Sequence, residues 1–200
     1  MNSPNCPLMA MTAPTAELAP LTTVGLNVAP AWSPDGRTIA FASNGGDGTH
    51  PPDLWLMQAD GSAQRRVPLP GPPRNELSYV DWAPSGGRLV GPSPHGLFIT
   101  DTLGRDTVYL PTASTFQADP AWSPTGEWIA YSTADGTYGD IWLVRPDGTD
   151  NHRLVRQAAH PAWFPDGARL AVVRPGPEAQ TVWAVDLDGQ LIQELTSPAE

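Results

Sequence analysis

The stretch Pro30-Ala31-Trp32-Ser33-Pro34-Asp35-Gly36, continued by Arg37-Thr38-Ile39-Ala40-Phe41-Ala42-Ser43, reads as a strand, a tight turn and a second strand. It returns as Val80-Asp81-Trp82-Ala83-Pro84-Ser85-Gly86, Pro120-Ala121-Trp122-Ser123-Pro124-Thr125-Gly126 and Pro161-Ala162-Trp163-Phe164-Pro165-Asp166-Gly167. Pro presets φ for the second position of a type I turn, Ser or Asp supplies a side-chain acceptor, and Gly suits the fourth position. The tryptophans are 50, 40 and 41 residues apart, the period of a propeller blade.

Each repeat continues in the same way. The first has strand B over 37–43, strand C over 54–57 and an outer strand near 64–67, with Asp60-Gly61 between the last two. The third carries strand C over 140–144 and Asp147-Gly148, and the fourth strand C over 181–185 and Asp188-Gly189. The second is the most divergent, with strand C over 97–100 and Leu103-Gly104 in place of Asp-Gly. Strands B and C are apolar on both faces, which suits a sheet covered on both sides, as stacked blades are. An aromatic recurs in strand C as Trp55, Phe98, Trp142 and Trp183, and apolar neighbours on either side mark it as an inter-blade core contact rather than a stacking platform. The expected fold is all-β: a propeller of four four-stranded antiparallel blades, over about 24–67, 76–110, 116–156 and 158–196.

Residues 1–16 are rich in Pro, Ala and Thr. With few large apolar side chains to offset ordering entropy, they are expected to be a disordered tail, leaving 17–200 as the propeller. The stretch 18–23 reads as a short outer strand resembling 193–196. That makes five candidate outer strands against four copies of the others, so the chain is expected to be an incomplete arc of a larger propeller. Open apolar blade edges would favour self-association.

Composition narrows the function. A net charge of -10 and a pI near 4.6 argue against a nucleic-acid partner. All 11 basic residues are Arg, which excludes Schiff-base and P-loop lysine chemistry. No G-x-S-x-G elbow exists, none of His50, His95, His152 and His160 forms an H-x-x-x-H or H-E-x-x-H pair, and Cys6 is the only cysteine, so no catalytic residue, metal site or cofactor is expected. The Asp-Gly turns lack the alternating carboxylates of calcium loops. No apolar run is long enough to span a bilayer, and no signal peptide is legible, which read alone points to an unexported chain.

These residues resemble the TolB-type β-propeller family, whose blades read approximately P-x-W-S-P-D-G-x-x-I-A-F, then D-I-W-x-M-x-x-D-G, then R-L-T. The resemblance covers about 18–196; the second repeat departs from it by lacking the Pro before Trp82, the Asp of the turn and the Asp before strand C. It implies a propeller that binds a protein or other ligand, often in the periplasm or outside the cell. Some relatives carry such a propeller in front of a peptidase domain, so the alternative is the propeller portion of a larger hydrolase or lyase.

Antiparallel connectivity sorts the loops. The stereotyped A–B and C–D turns share one face, and the variable B–C and D–A loops share the other, where a repeat scaffold places its individuality. The binding candidates on that face are Asp119, His160, Tyr79, His95, His50, Arg74 and Tyr138. Asp119 and His160 each precede the Pro of an innermost strand, where Ala29 and Tyr79 stand in the other repeats, so both are expected at the mouth of the central channel on adjacent blades. A protein or peptide is the expected partner.

Overall fold

A computed structural model of the 200-residue chain describes residues 6–12, 17–46, 51–70, 77, 79–114, 116–133, 138–176 and 179–196. Every regular element among them is a β-strand. A two-stranded hairpin, β1 (Met9–Thr12) and β2 (Glu17–Pro20), comes first. Blade one is β3 (Asn27–Trp32), β4 (Thr38–Ser43), β5 (Asp53–Gln58) and β6 (Arg65–Arg66). Blade two is β7 (Asp81–Trp82), β8 (Arg88–Ser93), β9 (Gly96–Asp101) and β10 (Val108–Leu110). Blade three is β11 (Gln117–Trp122), β12 (Ile129–Thr133), β13 (Ile141–Val144) and β14 (His152–Val155). Blade four is β15 (Ala159–Trp163), β16 (Arg169–Pro175), β17 (Gln180–Asp186) and β18 (Leu191–Glu194). Within each blade the strands lie side by side in chain order, A to D, all antiparallel.

The repeated turn closes as its residues dictate. The Gly36 N–H donates to the Ser33 carbonyl at 2.8 Å, and the same bond recurs from Gly86 to Ala83, Gly126 to Ser123 and Gly167 to Phe164. Gly36 has φ +68°, a left-handed conformation that explains a glycine at this place better than turn statistics do. Ser33 Oγ donates to Asp35 Oδ1 at 2.6 Å and accepts the Thr38 N–H at 2.9 Å, so the side chains tie the turn to the strand that follows.

The tryptophan ending strand A ties one blade to the one before. The indole N–H of Trp82 donates to the Ala31 carbonyl at 3.0 Å, and that of Trp163 to the Ala121 carbonyl at 3.0 Å. Asp81 makes the link between blades two and three, where its Oδ2 accepts the Trp122 backbone N–H at 2.7 Å. The cores lie between blades accordingly. Leu54, Leu56 and Val67 of blade one pack with Trp82, Leu89 and Phe98 of blade two, and Val90 and Ile99 of blade two pack with Trp122, Ile129 and Tyr131 of blade three. Ala130, Ile141 and Leu143 then pack with Leu170, Val172 and Val185 of blade four.

Strand A is bulged where proline interrupts its ladder. The register of β3, β11 and β15 against strand B shifts between Val28 and Ala31, Ala118 and Ala121, and Ala159 and Ala162. The residue before each proline, Ala29, Asp119 or His160, has φ of 52°, 51° or 53°. A non-glycine residue held there stores about 1–3 kcal/mol of strain.

Packing runs from blade to blade in series, and among the described residues no comparable contact joins blade four back to blade one. The four blades form an open arc. Strands β8 and β12 are buried almost throughout, whereas β16 alternates between buried and half-buried positions over most of its length and β17 is mostly half-buried, because among the described residues one face of blade four has no neighbour. Part of the stretch read as a tail is ordered: Met9–Thr12 pairs with Glu17–Pro20, and Leu8 is buried against Ile39, Phe41 and Met57 of blade one. One leucine with a waiting apolar face repays an ordering cost that composition alone did not. The strand expected over 18–23 is β2, which ends at Pro20 and pairs with β1.

The strand-C aromatics pair in register with Phe41, Gly91, Tyr131 and Val172 of strand B. A Cβ on Gly91 would stand 2.6 Å from the Phe98 ring, which is fully buried. Gly91→Ala is expected to cost about 1–3 kcal/mol by overpacking, and Phe98→Ala about 3–5 kcal/mol by cavity formation. Chemical denaturation of the double variant should give less than the sum, because loss of the Phe98 ring makes room for the methyl added at Gly91.

Hydrogen bonds at the turns favour the ionised form of their aspartates. Hydrogen bonds from Ser33 and Arg37 hold the Asp35 carboxyl below the ordinary value of 3.8, and those from Ser62 and Thr149 do the same for Asp60 and Asp147. Backbone N–H groups of Arg105 and Ala168 lower Asp101 and Asp166. Folded values below unfolded ones mean that this stability is complete above about pH 4 and is lost as pH falls through the folded values. Burial raises Asp81, which works in the opposite sense: its contribution is present below the ordinary value and lost as pH rises through the folded one. With five lowered groups against one raised, the Tm should fall as pH drops below about 4. A Tm that rises on acidification below that pH would contradict the assignment.

Candidate functional site

The bulges that deform strand A also aim its side chains. At the entry of β11 and β15, Asp119 and His160 leave the ladder, and His160 Nδ1 lies 2.8 Å from Asp119 Oδ2. The Asp119 side chain is 11% exposed and the His160 side chain 60%, so a sheltered carboxylate carries an outward-facing imidazole. The Ser132 hydroxyl, on strand B beside β11, lies 3.1 Å from both Asp119 Oδ2 and the Ala118 carbonyl. Asp119 Oδ1 is buried and, among the described residues, has no hydrogen-bond partner.

Tyr79 joins from blade two. Its phenol pKa is raised above 10.0, first by the negative charge of Asp119 and then by burial. Blades two, three and four thus each contribute the residue at one equivalent place, and the three side chains converge. In blade one that place holds Ala29, whose methyl adds no polar group.

The other candidates do not join this group. His95 sits on the B–C turn of blade two, its N–H bonded to Ser93 Oγ at 3.2 Å and its ring edge-on to Tyr109 with centroids 6.1 Å apart. Tyr138 is half-buried on the third B–C loop and, among the described residues, forms no hydrogen bond with the pair. His50 and Arg74 lie outside the described residues. Sequence reasoning missed Ser132, which is buried in strand B and looks like one more core position; only its register opposite Ala118 places it beneath Asp119.

A neutral imidazole that donates Nδ1–H to a carboxylate presents Nε2 to solvent as an acceptor, and a protonated one presents a donor. The arrangement can hold a polar group at the mouth or pass a proton. Ser132 is 3% exposed and committed to its two oxygen neighbours, so it is not placed to attack a substrate. Asp119→Asn should bring the Tyr79 phenol back toward its ordinary value, since the charge is the first cause of the rise. An NMR titration with Tyr79→Phe as the blank reads this directly, and an unchanged phenol would separate the two residues.

No family model matches the sequence. Solved structures do resemble it. TolB from Acinetobacter baumannii superposes with a TM-score of 0.77 at 18% identity, over 92% of this chain and 47% of that protein. A protein described as TolB from Agrobacterium tumefaciens gives 0.67 at 18% identity, over 93% of this chain and 86% of that one. The tricorn protease gives 0.69 at 17% identity, over 96% of this chain and 21% of the protease. The chain spans about half the length of the Acinetobacter protein. With its repeated turns, its series of four-stranded blades and these likenesses, the chain has the TolB-type β-propeller fold.

Proposed function

We propose that the chain is a binding module of a β-propeller, docking a protein or peptide on the face of the B–C and D–A loops. The observation that carries this reading is the convergence of Tyr79, Asp119 and His160 from three successive blades at the inner strand entries. The backbone there is strained at Asp119 and His160, and such strain persists where the surrounding structure enforces it and often marks a working site. The exposed His160 imidazole offers a polar anchor. Asp119, in a chain of net charge -10, suits a partner that brings a donor or a positive charge.

The second reading, a propeller portion of a larger hydrolase or lyase with this site at its channel mouth, rests on the same Asp119–His160 pair as an acid–base couple. The buried and bonded Ser132 favours binding over nucleophilic chemistry.

Panning a displayed random-peptide library against the immobilised chain tests the module. Affinity of the enriched peptides should fall at least tenfold with Asp119→Arg or His160→Ala and stay within twofold with Asp147→Arg on the opposite face. Equal losses on both faces would refute the assignment of the binding face, and turnover of bound peptides that depends on His160 would favour the second reading.

A further inference from the structure

The first hairpin repeats the outer half of a blade. The paired Met9 and Pro20 are 11 positions apart in sequence, as are Trp55 and Arg66, Phe98 and Tyr109, Trp142 and Arg153, and Trp183 and Glu194 across strands C and D. The Leu21 N–H donates to the Leu8 carbonyl at 2.8 Å, as Val67 does to Leu54 at 2.8 Å and Leu195 to Val182 at 2.7 Å. The bond to the next blade recurs too. The Asn27 N–H donates to the carbonyl of Cys6, two residues before Leu8, and the Ala158 N–H donates to that of Gly139, two residues before Ile141. In sequence, Leu8-Met9-Ala10-Met11 then stands where Leu54-Trp55-Leu56-Met57 stands in blade one. Leu8 and Leu21 pack on Ile39, Phe41 and Met57, the face of blade one turned away from blade two.

In every complete blade, strand C has strand B on its other side. Since the Leu8 carbonyl faces β2, alternation along an antiparallel strand turns the N–H and C=O groups of Met9 and Met11 to the open side of β1. Both methionine side chains are exposed. A second feature beside blade one is open in the same way. Trp82 and Trp163 give their indole N–H to strand A of the preceding blade, and Trp82 is 5% exposed; Trp32, at the same place in blade one, is 54% exposed. Among the described residues, an unpaired strand edge and an unburied tryptophan face thus lie where strands B and A of one further blade would be.

We infer that the β1 edge and Trp32 together form a binding site for a partner polypeptide that supplies an A–B hairpin of this chain's own type, with the Pro-x-Trp-Ser-Pro-x-Gly turn. Its strand B pairs along Met9 and Met11, and its strand A brings a carbonyl to the Trp32 indole, as Ala31 does for Trp82. Main-chain pairing gives the affinity and the tryptophan contact sets the register, the mode of recognition by strand addition. The occupant has two strands because the hairpin in place already supplies the other two.

The probe is a synthetic peptide with the sequence of residues 117–133, the A–B hairpin of blade three, added to the full chain. The expected result is one-to-one binding by calorimetry, with amide exchange at Met9 and Met11 slowed at least tenfold and the Trp32 indole N–H resonance shifted. Met11→Pro removes one outward N–H while leaving the bonds of β1 to β2, and an edge strand tolerates it. It should weaken the peptide at least tenfold, and Trp32→Ala should do so without touching the β1 edge. Absence of binding, binding that leaves Met9 and Met11 exchanging freely, or protection at the outer edge of β18 instead would overturn the inference. So would a dimer of the chain alone in which Met9 and Met11 are already protected, since that would give the edge to a second copy.

Discussion

A blade whose strands B and C are apolar on both faces can be stable only between two neighbours, because each uncovered face leaves large side chains in water. This constraint orders the chain. Trp82 and Trp163 hydrogen-bond backward to the preceding strand A, Asp81 and Trp122 link the second and third blades, and the cores form between sheets rather than within them. It also explains the two ends. On blade one the face is covered by Leu8 and Leu21 of the first hairpin, while on blade four alternate residues of β16 and most of β17 stay half-buried.

The same construction builds the candidate site. Proline at the entry of strand A cannot donate to the ladder, so the strand bulges and the residue before it takes a positive φ. In blade one that residue is Ala29 and has no chemistry; in blades three and four it is Asp119 and His160, which meet. Blade two has Val80 where the others have the proline, and presents Tyr79 close enough for the Asp119 charge to raise its phenol. A polar cluster is therefore a by-product of how inner strands are terminated, made specific by three substitutions at one repeated place.

What the sequence by itself determined was local or periodic. The Ser-Pro-x-Gly and Asp-Gly turns are closed by bonds within four residues, and four tryptophans at the spacing of a blade gave the architecture and the two loop faces. Asp119 and His160 could be set on one face because each precedes a strand-A proline. Tertiary structure decided the rest, since it depends on contacts between segments about 40 residues apart that no local pattern encodes. The union of Asp119 with His160 and Tyr79 required the blades to be docked, its contact with the buried Ser132 required the register of β11 on β12, and the positive φ at the bulge was invisible because a residue before proline ordinarily avoids the helical region. The first hairpin is illegible in the sequence for a similar reason: residues 13–16 read Ala-Pro-Thr-Ala, without the Asp-Gly that marks the C–D turns of blades one, three and four. Only the burial of Leu8 on blade one and the register of Met9 with Pro20 reveal it as part of the same repeat.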